Sequence, residues 1–202
     1  MTKSAASERQ RGRPREYDEE QVIERAMQVF WTEGYHATSL PGLLAATKLS
    51  RGSLYAAFGD KHGIFLRALD RYIDQALART DRELSATPDA LANIQLCIDG
   101  YLARTEGEAG KRGCLVVATA MEMAAHDKEV AARIGRFFKL MEARLSMALT
   151  RARQEGTIAS DVDPQAFAHM LICLLEGIRV IRKVASGNTG AAIKTMIARL
   201  AR

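Results

Sequence analysis

Cysteine is scarce in this sequence: Cys97, Cys114 and Cys173 are its only three, too scattered for a disulfide framework, and no two form a C-x-x-C pair. Reduced thiols are expected. Only four prolines interrupt the chain and aromatic residues make up 6% of it, while Ala, Leu and Arg dominate, a composition that favours helix. No apolar run approaches the roughly 18 residues needed to cross a bilayer. The N-terminus is polar and arginine-rich rather than a basic head followed by an apolar segment, so a cytoplasmic protein with no membrane partner is expected. Also missing are a Gly-rich phosphate loop and a G-x-S-x-G turn, and His36, His62, His126 and His169 show no metal-ligand spacing. No enzyme activity, metal or cofactor is therefore expected.

What is present is a chain of 202 residues, long enough to bury a core without staples, with 48% hydrophobic and 26% charged residues. The net charge of +5 hints at a polyanionic partner. Residues 1–60 carry eight basic and eight acidic side chains, so the surplus lies downstream. Their order is uneven, because Lys3, Arg9, Arg11, Arg13 and Arg15 precede the acidic stretch from Glu16 to Glu20. Acids at that place complement the dipole at the start of a helix.

Residues 1–15 lack any hydrophobic period and are expected to form a basic flexible arm. From Asp18 onward Val22, Ile23, Ala26, Met27, Val29 and Phe30 follow helical spacing, and Gly34 is placed to end a helix over 18–33. Ser39 caps a short second helix that has Pro41 in its first turn and stops near Thr47. Ser50 caps a third, Arg51 to Phe58, and Asp60 caps a fourth over 61–80. Further helices are expected over 89–106, 112–125, 128–155, 164–185 and 189–200, with breaks at Gly107 to Gly113, at His126-Asp127, from Gly156 to Pro164 and at Gly187-Asn188. The fold class is thus all-α, with about nine helices.

Two short helices joined by a tight turn beneath a longer one have the form of a helix-turn-helix. Leu54 and Phe58 would anchor the third helix, leaving Arg51, Gly52, Ser53 and Tyr55 pointing outward. Arginine suits bidentate contact with guanine, serine a base or phosphate, and a tyrosine hydroxyl a phosphate oxygen.

The stretches AMQVFWTEGYHATSL (26–40) and LSRGSLYAAFGDKHGIFLRAL (49–69) resemble the DNA-binding domain of the tetracycline-repressor-like (TetR/AcrR) regulators. The resemblance implies a helix-turn-helix DNA-binding domain over 16–60 and an effector-binding and dimerisation domain over 61–202. It places DNA-facing residues at Arg51, Gly52, Ser53, Tyr55 and Ala57, a phosphate-binding lysine at Lys61, and phosphate contacts at Thr38 and Ser39. The family's turn usually carries glycine where this chain has Lys48, also counted among the DNA-facing residues; either the lysine adopts a left-handed conformation or the turn differs. In the arm, Arg11, Arg13 and Arg15 form an extended basic strip suited to a minor groove or to phosphates. A solvated tail is the alternative.

For the second half the resemblance implies an effector pocket, coupled through the fourth helix to the spacing of two recognition helices in a homodimer. The alternative is a plain bundle serving dimerisation alone. Candidate pocket residues are Leu96, Tyr101, Cys114, Val117, Met121, Phe137, Phe138, Met141 and Phe167. Cys114 opens a helix just after Lys111 and Arg112, where dipole and cations would lower a thiol pKa. Its GCL context also resembles family members that sense electrophiles or oxidants. A small residue needed for close packing is the other reading, and Cys97 and Cys173 read as core. Phe167, Met170, Leu171, Leu174, Leu175, Ile178 and Ile181 form an apolar stripe, expected to be the dimer interface.

The expected function is a repressor that binds palindromic double-stranded operator DNA as a homodimer and is released by a small-molecule effector or reactive electrophile. An activator on the same scaffold, or a helical interaction module that does not bind DNA, are the alternatives.

Overall fold

Short polar side chains start most of the helices by accepting the backbone N–H groups that a first turn leaves unpaired. The computed structural model describes residues 17–184 and 189–199, so Arg11, Arg13 and Arg15 lie outside the described residues. Asp18 caps α1 (Glu19–Glu33), Ser39 caps α2 (Leu40–Thr47), Ser50 caps α3 (Arg51–Phe58) and Asp60 caps α4 (Lys61–Leu84). Asp89 caps α5 (Ala90–Ala103), Asp127 caps α8 (Lys128–Gln154) and Asp163 caps α9 (Pro164–Ile181). The remaining helices are α6 (Gly107–Arg112), α7 (Leu115–Met123) and α10 (Thr189–Ala198). The nine expected helices are present, and α6 is an additional short one where a break was expected.

The α2–α3 turn resolves in favour of the left-handed alternative, because Lys48 adopts φ 59° and ψ 25°. After α3 the chain turns at Gly59, and Gly63 lies so close to the Phe58 carbonyl that a Cβ would overlap it. Helix α4 runs to Leu84 rather than ending near 80. The buried Asn93 on α5 accounts for this, since its amide donates to the carbonyls of Leu84 (3.1 Å) and Thr87 (2.8 Å). That cap comes from another helix.

Two cores divide the interior. The first joins α1 to α4 with Leu115, Val116 and Met123 of α7 and with Val130, Ile134 and Phe137 from the first half of α8. The second joins Ile94, Ile98 and Leu102 of α5 to Leu145 and Leu149 of α8, Leu171, Leu175 and Ile178 of α9, and Ile193 and Ile197 of α10. Helix α8 thus runs through both, and the first core draws on residues on either side of position 60. Leu171, Leu175 and Ile178, expected in the dimer interface, are packed inside the protomer instead, because α8 covers that edge of α9. Cys97 is buried as expected, whereas Cys173 is exposed on the far side of α9.

Candidate nucleic-acid interface and effector cavity

Helix α3 is anchored by Leu54 and, as expected, by Phe58, which is half-buried against the first core, and its other side chains are at least partly open to solvent. Leu54 is completely buried, while Arg51, Gly52 and Tyr55 are exposed, Tyr55 by 47%. Ser50 and Ser53 share a hydroxyl hydrogen bond of 2.8 Å, and the Ser50 hydroxyl accepts from the Ser53 amide at 3.1 Å. Ser53 and Ala57 are half-buried, and Ala56, which the sequence reading passed over, is exposed. Ser39 is exposed and accepts from the Gly42 amide, and Lys48 is exposed in the turn. Lys61 holds its ammonium 4.5 Å from the centre of the Tyr35 ring. Thr38 departs from expectation: its side chain is buried and its hydroxyl donates to the Gly34 carbonyl at 2.6 Å, so it closes the α1–α2 connection rather than facing phosphate.

Helix α7 is tied to this unit at both ends. Near its start, Trp31 Nε1 donates to the Gly113 carbonyl at 3.0 Å and Arg112 donates to the Gln28 carbonyl at 2.7 Å. The Arg112 guanidinium also lies 4.2 Å from the centre of the Trp31 ring. Near its end, the Glu122 carboxylate accepts from the backbone amides of Tyr35 (3.0 Å) and His36 (2.6 Å). Just beyond, His62 Nε2 lies 2.7 Å from the Asp127 carboxylate, pinning the start of α4 to the cap of α8. The sequence reading named none of these contacts, which join residues about 65 to 90 positions apart and leave no local pattern.

Tyr72, Ala76, Arg79 and Thr80 of α4 face Tyr101 of α5, Arg104 just after it, Cys114, Phe137 and Met141 of α8, and Glu176 and Arg179 of α9 around a small cavity of about 20 Å³. Of the expected pocket residues, Tyr101, Cys114, Phe137 and Met141 meet here. Val117 and Phe138 pack against the first core and Phe167 against the second. Leu96 and Met121 do not line it, because each points off its helix into solvent, 45% and 85% exposed. Polar members of the cavity were missed, yet a signal existed: Tyr72, Ala76 and Arg79 share one face of α4, and Glu176 and Arg179 interrupt the apolar α9.

Cys114 is buried beside Tyr72, whose hydroxyl lies 3.6 Å from the thiol. Burial pushes the thiol pKa up, the Glu176 carboxylate adds to this, and Arg179 opposes it. The expected lowering fails because burial outweighs it: the Val117 backbone amide at the helix start still pulls the pKa down, while the Arg112 guanidinium lies against Trp31 instead. Burial likewise raises Tyr72 and Tyr101, and the Glu176 carboxyl is raised by burial against the pull of Arg179.

The other edge of α9 is uncovered. Met170, Leu174, Val180 and Ile181 are exposed there, followed by Val184. The helix is long and apolar enough by length and composition to cross a membrane, but its adjoining edge belongs to the second core.

Residues 22–68 match the family of bacterial regulatory proteins called tetR, and residues 90–194 match the tetracyclin repressor-like C-terminal domain. The HTH-type transcriptional repressor ComR of Escherichia coli strain K12 is 28% identical over 93% of this chain and 87% of its own length. The HTH-type transcriptional regulator YezE of Bacillus subtilis strain 168 is 33% identical over 79% of this chain and 83% of its own. Among solved structures, a cysteine-substituted form of the TetR family regulator CifR, complexed with 26-base-pair operator DNA, superposes with a TM-score of 0.81. It is 28% identical, and the match covers 94% of this chain and all of that one.

Proposed function

Since the chain belongs to the tetR family of bacterial regulatory proteins, we propose that it is a cytoplasmic, non-catalytic transcriptional repressor which binds a palindromic operator as a homodimer and is released by a small molecule or electrophile. The observation that carries the reading is α3 itself. Its buried Leu54 fixes the helix while Arg51, Gly52 and Tyr55 present a short polar end of the size that enters a major groove. Ser39, Ser53, Lys48 and Lys61 flank that end and supply phosphate and sugar contacts, and the Ala57 methyl offers an apolar one. The arm residues Arg11, Arg13 and Arg15 extend it into a neighbouring groove.

The exposed edge of α9, with Met170, Leu174 and Ile181, is the proposed dimer face. Release follows from the way α7 is held. Cys114, the residue before its first turn, lines the cavity, and Glu122 of α7 grips the loop that precedes α2. A ligand that enlarges the cavity moves α7, and α7 moves the reading heads away from the roughly 34 Å spacing that successive grooves demand. Reaction of the Cys114 thiol with an electrophile requires the same opening, because the closed form buries it and favours the protonated state.

Footprinting of DNA flanking the protein's own gene tests the reading, followed by titration of the protected site. The wild type is expected to protect a two-fold symmetric site with a steep salt dependence. Arg51→Ala should lose about 1–3 kcal/mol of binding and relax selectivity at one base pair in each half-site. No protection at low salt would sink the proposal.

A further inference from the structure

We propose that the cavity between α4, α5, α8 and α9 receives the anionic group of a small organic acid, held by the guanidinium groups of Arg79, Arg104 and Arg179. The proposal names the ligand class for the effector cavity described above and rests on that reading only for the coupling to DNA.

Three arginines and one carboxylate, Glu176, line the cavity. Arg104 already has a partner, pairing with Glu83 at 2.8 Å, and Gly100 leaves room for that pair because a Cβ there would press on both side chains. Arg179 lies 4.1 Å from the centre of the Tyr101 ring, and its Nη1 reaches the Tyr72 hydroxyl at 3.5 Å. Arg79 is in no ion pair among the described residues. Its Nε is buried without a hydrogen-bond partner, and the same holds for Nε of Arg104 and Nε of Arg179. Buried polar groups are nearly always paired, so a cluster of orphaned donors around one cavity marks a missing acceptor.

The electrostatics ask for the same partner. Burial lowers the Arg79 pKa, and the charges of Arg104 and Arg179 lower it further, against the smaller pull of Glu83 and Tyr72. The neighbouring Glu176 carboxyl is itself raised by burial, which weakens the only lining countercharge. An anion among the three guanidinium groups offsets their mutual repulsion, and a carboxylate or phosphate matches their planar donors.

Ala76, Phe137 and Met141 complete the wall and favour an acid that carries an apolar tail over a bare inorganic ion. The closed cavity of about 20 Å³ has room for little more than a water molecule. The tail must therefore displace side chains. Met141, with its three torsions, is the adaptable one. Phe137 also lines an open groove of about 530 Å³ between α4 and α8, where Ile73, Leu77 and Leu140 form an apolar strip beside the charged Asp70, Asp74 and Arg136. That groove gives the tail a place to lie.

Thermal melting of the full-length protein, at constant ionic strength set with sodium chloride, tests the idea with sodium acetate, butyrate and benzoate beside acetamide, butyramide and benzamide. At least one acid is expected to raise the melting temperature where its amide does not. Arg79→Met should melt no lower than the wild type without added acid, since it removes an unpaired charge, and should bind that acid at least tenfold more weakly. Failure of every acid to exceed its amide at about 10 mM would overturn the proposal, and the wild-type comparison stands whatever the variant's folding. Inorganic phosphate acting as strongly as the best acid would overturn the organic part. Operator titration with and without the acid separates the two readings. An acid that binds through Arg79 but leaves operator affinity unchanged supports the anion site and refutes its coupling to DNA.

Discussion

At the scale of single residues, burial decides which side chains hold the fold and which are free to read a partner. Leu54 is the only fully buried residue of α3, so its loss leaves the helix with the half-buried Phe58 as its one remaining core contact. Leu54→Ala should cost about 2–5 kcal/mol in urea unfolding, with operator affinity falling alongside. A smaller loss would mean that α3 is held by its caps instead. Asp127 gives a second test, in pH. Its carboxyl pKa is lowered, first by the Val130 backbone amide and then, against a burial effect that raises it, by His62 and the Glu129 amide. A folded-state pKa below the unfolded one contributes stability that is complete above the unfolded value and is lost as pH falls through the folded one. Asp127→Asn should therefore lower stability at neutral pH and flatten the decline below the usual carboxylate range. An acid limb as steep as that of the wild type would show that other groups control it.

At the scale of elements, the sequence announced whatever is encoded locally. The caps Ser39, Ser50 and Asp60, the stop at Gly34 and the stripes of α1 and α4 all depend on neighbours within one or two turns, and they appear in the structure. The breaks were less legible. Gly107 to Gly113 holds a helical turn in α6, because residues that end one helix can also begin another. Sidedness was harder still: two adjoining edges of α9 are both apolar, so spacing alone could not separate the edge that meets α8 from the one that meets solvent. Contacts between distant segments left no trace, and α7 is the case that matters for function. Glu122 binds two backbone amides of the loop before α2, a charge-assisted pair of bonds. Glu122→Gln should leave helix content unchanged by circular dichroism, lower stability by about 1–3 kcal/mol and weaken operator binding several-fold. Unaltered operator affinity would remove α7 from the route between cavity and DNA.

At the scale of the whole molecule, affinity for a palindrome depends on holding two reading heads at one distance, which a single protomer cannot do. The uncovered edge of α9 is the proposed surface for a partner copy, since Met170, Leu174 and Ile181 are 40%, 40% and 50% exposed while Leu171, Leu175 and Ile178 on the adjoining edge already serve the core. Substitution on the exposed edge therefore probes assembly without opening the interior. In a two-fold interface each residue meets the partner's copy of the same patch, so one added charge appears twice against apolar surface. Leu174→Arg should shift the protein from dimer to monomer in analytical ultracentrifugation with unfolding behaviour preserved. Affinity for the full operator should then collapse toward that for a half-site, while half-site affinity itself barely changes. A variant that remains dimeric would place the interface elsewhere on the second half. One that becomes monomeric yet still binds the full site tightly would break the link between subunit pairing and DNA recognition.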